Sequence, residues 1–355
     1  MLAVLASLLG GIHPAEVSLR AEGQARLDNL TKPKGSLGRL EELALQMYLA
    51  RGDDSPQADP ARIYTVAGDH GVTIEGVSAF PMEVTRQMVL NFLRGGAAIN
   101  VLARTVGAEL FVVNAGVAGE LFEPHPSLIQ NKLGPGTDNI AKGPAMSVET
   151  CAKALLFGAA LADKAHAEGI RTLLTGEMGI GNTTPSTALY CAYLGLQPEE
   201  LTGPGAGLNN AGVRHKIKII KKALEANAEA VRSGDPLEML AALGGFEIAT
   251  LAGLILGGAK NRQMILVDGF ISTAAYTAAW KICPHVADYC VLSHASAEPG
   301  YAAAVSAMGL TPLLHLGLRL GEGTGAAMAL FQMRCAADIF NRMATFGEAG
   351  VSPGQ

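Results

Sequence analysis

Two carboxylates in this chain sit where ordinary surface structure has no need of them. Glu177 lies in TGEMGIGNTTPST (175–187) and Glu322 in LGEGTGAA (320–327), each flanked by glycine and each followed by a helix-forming run. Neither has an ion-pair or helix-face explanation among its neighbours. A carboxylate held against a reacting atom and tuned by partial burial suits general-base chemistry. The alternative is that each glutamate stiffens its own loop by hydrogen bonding.

The same loops carry a second kind of chemistry. GIGNTTPS (179–186) and TGPGAGLNNAGVRHK (202–216) put flexible backbone amides just before helix starts, with Lys216 at the end of the second. A helix N-terminus with free N–H groups attracts anions, so these loops are candidate phosphate sites. They are not P-loops, because GxxxxGK[ST] occurs nowhere in the chain. Taken one at a time, such glycines are also what a βα turn needs.

Three further groups are weaker. Asp69–His70, Asp268 and His294 fall at expected strand ends and could ligate a hydrolytic metal, but their spacing follows no metal signature; a loop-ordering network explains them as well. Ser293, His294 and Ser296 suggest a hydrolase triad, yet no GxSxG elbow exists. In SAFPMEVTRQMVLNFLRGGAAINVLAR (78–104), Phe80, Met82 and Gln87 offer a soft apolar slot with one polar group, suited to a flat aromatic ligand. Met88 and Phe92 read as core.

The elements that must position these residues alternate. Short apolar runs at 62–68, 109–116, 172–176, 263–269, 289–294 and 311–317 read as strands buried on both faces. Helical patterns occupy roughly 83–105, 148–168, 183–195, 209–233, 244–259, 271–281, 299–308 and 323–343. Repeated βαβ units imply a doubly wound parallel sheet, α/β in class. Nearly every strand ends in a polar residue or glycine, and ligands of open α/β sheets bind outside those ends. Residues 1–60 lie outside the alternation; with the C-terminal helix, about 330–355, they are expected to form a small helical subdomain beside an α/β catalytic domain at 61–329.

Bulk composition narrows the function. The chain has 355 residues, 49% apolar and 17% charged, with net charge −5, so it can bury a large core but has no basic surplus for nucleic acid. Five scattered cysteines form no CxxC pair or zinc pattern, which suits reduced thiols. The apolar N-terminus lacks a basic n-region, and the run at 246–259 is shorter than the roughly 20 residues that span a bilayer. A soluble cytoplasmic enzyme with no membrane partner is the expectation.

The blocks TKPKGSLGRLEELA (31–44), AGDHGV (67–72), VTRQM (84–88), GGAAINVLAR (95–104), TGEMGIGNTTPST (175–187), LGGFEIATLAGLILGGA (243–259), VDGFISTAAYTAA (267–279), SHASAEPG (293–300) and LRLGEGTGAAMA (318–329) occur in that order. In these the chain resembles the nicotinate-nucleotide–dimethylbenzimidazole phosphoribosyltransferase family over nearly its whole length. The resemblance implies a transferase of cobalamin lower-ligand synthesis with a Rossmann-like sheet of about six strands, assembled as a homodimer. It implies nicotinate mononucleotide and dimethylbenzimidazole as substrates, and no metal or organic cofactor. By the family's pattern Glu322 is the general base and Glu177 a second catalytic group at the ribose. Gly179, Gly181, Asn182, Gly205, Lys216, Ser293 and Gly323 would hold phosphate and ribose. Phe80, Met82, Gln87, Met178 and Leu320 would line the base pocket. Ala295 stands where the family often has a larger polar residue.

Overall fold

The structure, a computed structural model, describes residues 1–52 and 55–352. Six strands form one parallel sheet: β1 (Ala61–Gly68), β2 (Glu109–Gly116), β3 (Leu128–Gln130), β4 (Thr172–Met178), β5 (Met264–Val267) and β6 (Cys290–Leu292). Their order is β3-β2-β1-β4-β5-β6, so the chain reverses direction across the sheet between β1 and β4. A crevice opens at such a switch point, outside the strands' carboxyl ends.

Every residue of β1 is buried, which requires cover on both faces. Successive side chains of a strand point to opposite faces, and two neighbours identify the layers. The Tyr64 hydroxyl donates to Leu161 O, 3.2 Å away in the helix Val148–Ala167, while Thr65 Oγ1 donates to Glu322 O at 2.8 Å. Helix Val148–Ala167 packs against the apolar helix Phe246–Lys260 on the first side. On the second, helix Thr324–Arg342 contacts β4 and β5. Arg62, near the start of β1, lies over the Phe111 ring at 5.0 Å and pairs with Glu109 and Glu168.

The N-terminal residues pack on the last long helix. Tyr48 of helix Arg39–Arg51 meets Phe340 at a 5.0 Å centroid distance; Arg26 covers the same ring and donates to Phe340 O at 2.7 Å. Leu30 bridges antiparallel to Thr345. Helix Thr324–Arg342 runs unbroken from the glycine loop of Glu322 to these contacts, across position 330.

Two expectations need correction. Residues 311–317 are not a strand: the segment makes one bridge, Leu314 to His294, and turns away at Gly317. The sixth strand is β3, three residues long and too short for an alternation signal. The helical patterns at 83–105 and 209–233 are each two helices: Glu83–Leu93 and Ala98–Val106, parted where Gly95 takes a left-handed φ of 77°, and Asn210–Ala226 and Ala228–Ser233, parted at Asn227. Among the described residues no helix is long and apolar enough to cross a membrane.

Candidate active site

A cavity of about 420 Å³ opens at the carboxyl end of β4, with residues that follow β5 and β6 on its wall. β4 delivers Glu177 as its penultimate residue, paired across the sheet with Val66. The side chain is 6% exposed, and Asn182 Nδ2 donates to its Oε2. Burial, with the charges of Asp268, Glu247 and Glu322, pushes its carboxyl up to about 8 against the lowering effect of Asn182. Burial therefore favours the protonated form of this carboxyl.

Glu322 comes from the opposite rim. Gly321, Glu322 and Gly323 are all left-handed, with φ of 86°, 64° and 100°. That backbone costs a non-glycine residue about 1–2 kcal/mol, and such strain gathers at functional sites. A Cβ at Gly321 would stand 2.2 Å from Glu177 Oε1, so only glycine lets the two acidic loops meet. Glu322 is 5% exposed; its Oε2 accepts from Ile99 N at 3.2 Å, in the first turn of helix Ala98–Val106. Burial raises its carboxyl above the ordinary range, the amide of Ile99 offsets this, and Asp268 adds to it.

The glycine loop after β4 is the candidate anion site. Helix Thr183–Leu194 has no side-chain cap: Asn182 before it already has helical backbone angles, φ −62° and ψ −19°, and its Nδ2 donates to Glu177. Thr184 N donates to Gly181 O at 2.9 Å, Ser186 N donates to Asn182 O at 3.1 Å and Pro185 has no N–H, so the Thr183 amide and the helix dipole are what an anion would meet there. Ile180 N donates to Thr85 Oγ1 at 3.0 Å, fixing the loop to helix Glu83–Leu93. Lys216, 1% exposed on helix Asn210–Ala226, donates to Thr183 Oγ1 and lies behind Gly205. Burial lowers its ammonium to about 8, opposed by Glu298.

The remaining wall is apolar. Val77, Val84, Met88, Met178, Ile180, Phe270 and Ile271 line it, with Phe80 (50% exposed), Leu320 (58% exposed) and Arg319 also on the lining. An apolar slot ending in two buried acids and an anion loop suits a flat aromatic base meeting a phosphorylated sugar.

Comparisons with known proteins give the family. The profile of a family described as Phosphoribosyltransferase matches residues 12–351. The chain belongs to that family. It is 64% identical over 349 residues to the nicotinate-nucleotide–dimethylbenzimidazole phosphoribosyltransferase of Nitratidesulfovibrio vulgaris strain DP4, covering 98% of each chain. The enzyme of the same name from Oleidesulfovibrio alaskensis is 64% identical over 342 residues, 96% of each chain. A solved structure of the enzyme so named from Thermus thermophilus superposes with a TM-score of 0.89 at 46% identity, covering 95% of this chain and 99% of that one.

Within this phosphoribosyltransferase the expected residues divide. Phe80, Glu177, Met178, Gly179, Gly181, Asn182, Gly205, Leu320 and Glu322 line one cavity. Lys216, Ser293 and Gly323 stand behind its wall: Ser293 Oγ bonds His294, and Gly323 N donates to Asp268 Oδ2 at 3.1 Å. Met82 and Gln87 are not on the lining. Met82 Sδ faces Thr73 Oγ1 at 3.7 Å, and Gln87 is exposed. Val84 and Met88, four apart on helix Glu83–Leu93, take their place; that spacing was the available signal for a shared face. Ser296, Glu298 and Arg319 also line the cavity, each within a polar strand-end block.

His70 Nε2 is taken by Glu247 Oε1 at 2.6 Å, both fully buried, and Asp69 Oδ2 accepts from Ala118 N at 2.8 Å. Among the described residues no group of three or more His, Cys, Asp or Glu could hold a metal ion. The Asp69–His70 pair is a loop-ordering network.

Proposed function

We propose that this chain transfers the ribose 5-phosphate of nicotinate mononucleotide to 5,6-dimethylbenzimidazole, releasing nicotinate and α-ribazole 5′-phosphate. One benzimidazole nitrogen attacks the anomeric carbon from the face opposite the nicotinate. The glycosidic bond breaks with its electron pair going to the pyridine nitrogen, which loses its positive charge. The other benzimidazole nitrogen gives its proton to Glu322. The anomeric centre inverts from β to α, and no acid need protonate the leaving group.

The observation that carries this reading is Glu322 itself, a buried carboxylate on a strained left-handed loop, facing the same cavity as Glu177 and an uncapped helix N-terminus. Burial keeps its proton affinity high, which suits a base that must accept a proton in the reaction. In this reading the phosphate meets the Gly179–Gly181 loop with Lys216 behind it, and the aromatic base lies against Met88 and Leu320 on the cavity lining. A homodimer belongs to the proposal; Val101, Met328 and Phe331, exposed on two contacting helices, support an apolar face for it, and a monomeric mass in solution would exclude it.

The test is a chromatographic assay with both substrates, run beside Glu322→Gln. Wild type should release nicotinate and α-ribazole 5′-phosphate in equal amounts. The variant should lose about 10²–10⁴-fold in kcat while still binding the nucleotide. Full turnover by the variant would remove Glu322 as the base.

A further inference from the structure

The chemistry above leaves one wall of the cavity without a role. His294 follows β6 and lines the cavity beside Gly269, Ser296 and Glu298, with its ring 1% exposed. The Nδ1 edge is occupied: Ser293 Oγ lies 3.1 Å away and Asp268 Oδ1 3.7 Å away. Asp268 is itself anchored, since its Oδ1 accepts from Gly325 N at 2.8 Å and Ala326 N at 3.1 Å. The ring thus rests on the first turn of helix Thr324–Arg342, where a Cβ at Gly325 would stand 1.9 Å from Nδ1.

The opposite edge is different. His294 Nε2 is buried and has no partner among the described residues. Beside it is Gly269, whose absent Cβ would lie 3.2 Å from Cε1 and 3.3 Å from Nε2. The space next to Nε2 is therefore cavity-side space that a side chain would have filled. A buried nitrogen left unpaired carries a desolvation cost, and in a ligand cavity the ligand is what removes it.

The surroundings select the ligand group. Glu177, Glu298 and Glu322 line the same cavity, and Asp268 stands just behind the ring. Phosphate is drawn to the uncapped helix and Lys216 instead. A pyridine carboxylate at Nε2 would add another anion to an acidic wall. The neutral polar groups of a nicotinate nucleotide are its ribose hydroxyls. We infer that His294 Nε2 hydrogen-bonds a ribose hydroxyl of the nucleotide substrate, with Asp268 and Ser293 holding the ring from behind.

This inference rests on the nucleotide reading, and the experiment separates the two. His294→Asn keeps a polar group toward Asp268 and Ser293 but cannot reach the Nε2 position; His294→Gln puts an amide near it. Each is assayed with dimethylbenzimidazole and nicotinate mononucleotide, or its 2′-deoxy or 3′-deoxy analogue. On the natural nucleotide the Asn variant should lose about 10- to 100-fold in kcat/KM, and Gln should recover most of it. On one deoxy analogue the loss should shrink to about twofold, which names the hydroxyl. An equal loss on all three nucleotides, or none on the natural one, overturns the inference. Wild type that does not turn over nicotinate mononucleotide defeats the nucleotide reading instead. Should the Asn variant fail to fold, wild type with ¹⁵N-labelled histidine decides: the His294 Nε2 resonance should move on adding nicotinate mononucleotide and not with the analogue lacking the contacted hydroxyl. Movement with every nucleotide alike, or with none, overturns it.

Discussion

Replacing Glu177 by Gln should make the protein more stable at high pH and leave it nearly unchanged at low pH. Glu177 is raised by burial from 4.5 to about 8. Between those values the unfolded chain has lost the proton and the folded chain retains it. Folding therefore takes up a proton, and raising the pH disfavours the folded state. Wild type should lose stability from about pH 4.5 to about pH 8, levelling off above. At about 1.4 kcal/mol for each pH unit between the two values, the ceiling is roughly 5 kcal/mol. Water admitted by the adjoining cavity of about 420 Å³ relieves part of that. Glutamine keeps the shape and can still accept from Asn182, so the low-pH states should agree within about 1 kcal/mol. Urea denaturation of both proteins from pH 5 to 9 reads the effect. The advantage of the variant should grow through this range to roughly 2–5 kcal/mol at pH 9. Parallel stability curves would refute the reasoning, because they would mean that Glu177 is ionised in the folded protein without cost.

Two other substitutions probe the loops. Lys216→Met should raise KM for the nucleotide by about 10- to 100-fold, the worth of a charge-assisted hydrogen bond, with kcat less affected. Because the Lys216 ammonium is lowered to about 8, wild-type KM should rise above that pH, and the variant should lack this limb; an unchanged KM would remove the lysine from phosphate binding. Gly321→Ala puts a Cβ 2.2 Å from Glu177 Oε1 on a φ of 86°. It should lower kcat by about 100-fold through displaced carboxylates and cost about 1–2 kcal/mol in stability from the left-handed backbone; wild-type kcat would show that the two loops need not meet so closely.

Much of the fold was readable because its strands carry strong local signals. β2 fell at its expected bounds, 109–116, and β1 within one residue, since both are long apolar runs ending in glycine. β3 was not readable: three residues, LIQ, hold too few positions for any periodicity. TPLLHLG (311–317) looks like a strand because it is extended and apolar, yet it makes only an isolated bridge from Leu314 to His294 and a bond from Leu313 N to Leu292 O at 3.0 Å. Glu177 and Glu322 stood out because glycine-flanked acids have little structural reason to exist. Gln87 and Met82 misled because composition does not say which way a helix faces. Met88, one residue from Gln87, is rotated about 100° toward the cavity. The unpartnered Nε2 of His294 has no sequence signature, since it depends on a glycine that follows a different strand.

The charge arrangement links the strain of the site to its chemistry. Glu177 and Glu322 each have Asp268 among the causes that raise their proton affinity, and Glu322 is among those acting on Glu177. The cavity wall thus gathers acids that raise one another's proton affinity. The proposed nucleotide brings a positive charge on its glycosidic nitrogen. As that bond breaks, the charge passes to the sugar ring, inside the acidic wall. Ionised acids in this wall are favoured most as positive charge develops at the anomeric carbon, so the interaction strengthens along the reaction coordinate. A cation bound equally at every stage would gain no rate from it. The left-handed backbone of Gly321–Gly323 holds these acids together against their repulsion, which is why local strain and raised proton affinity occur at the same residues.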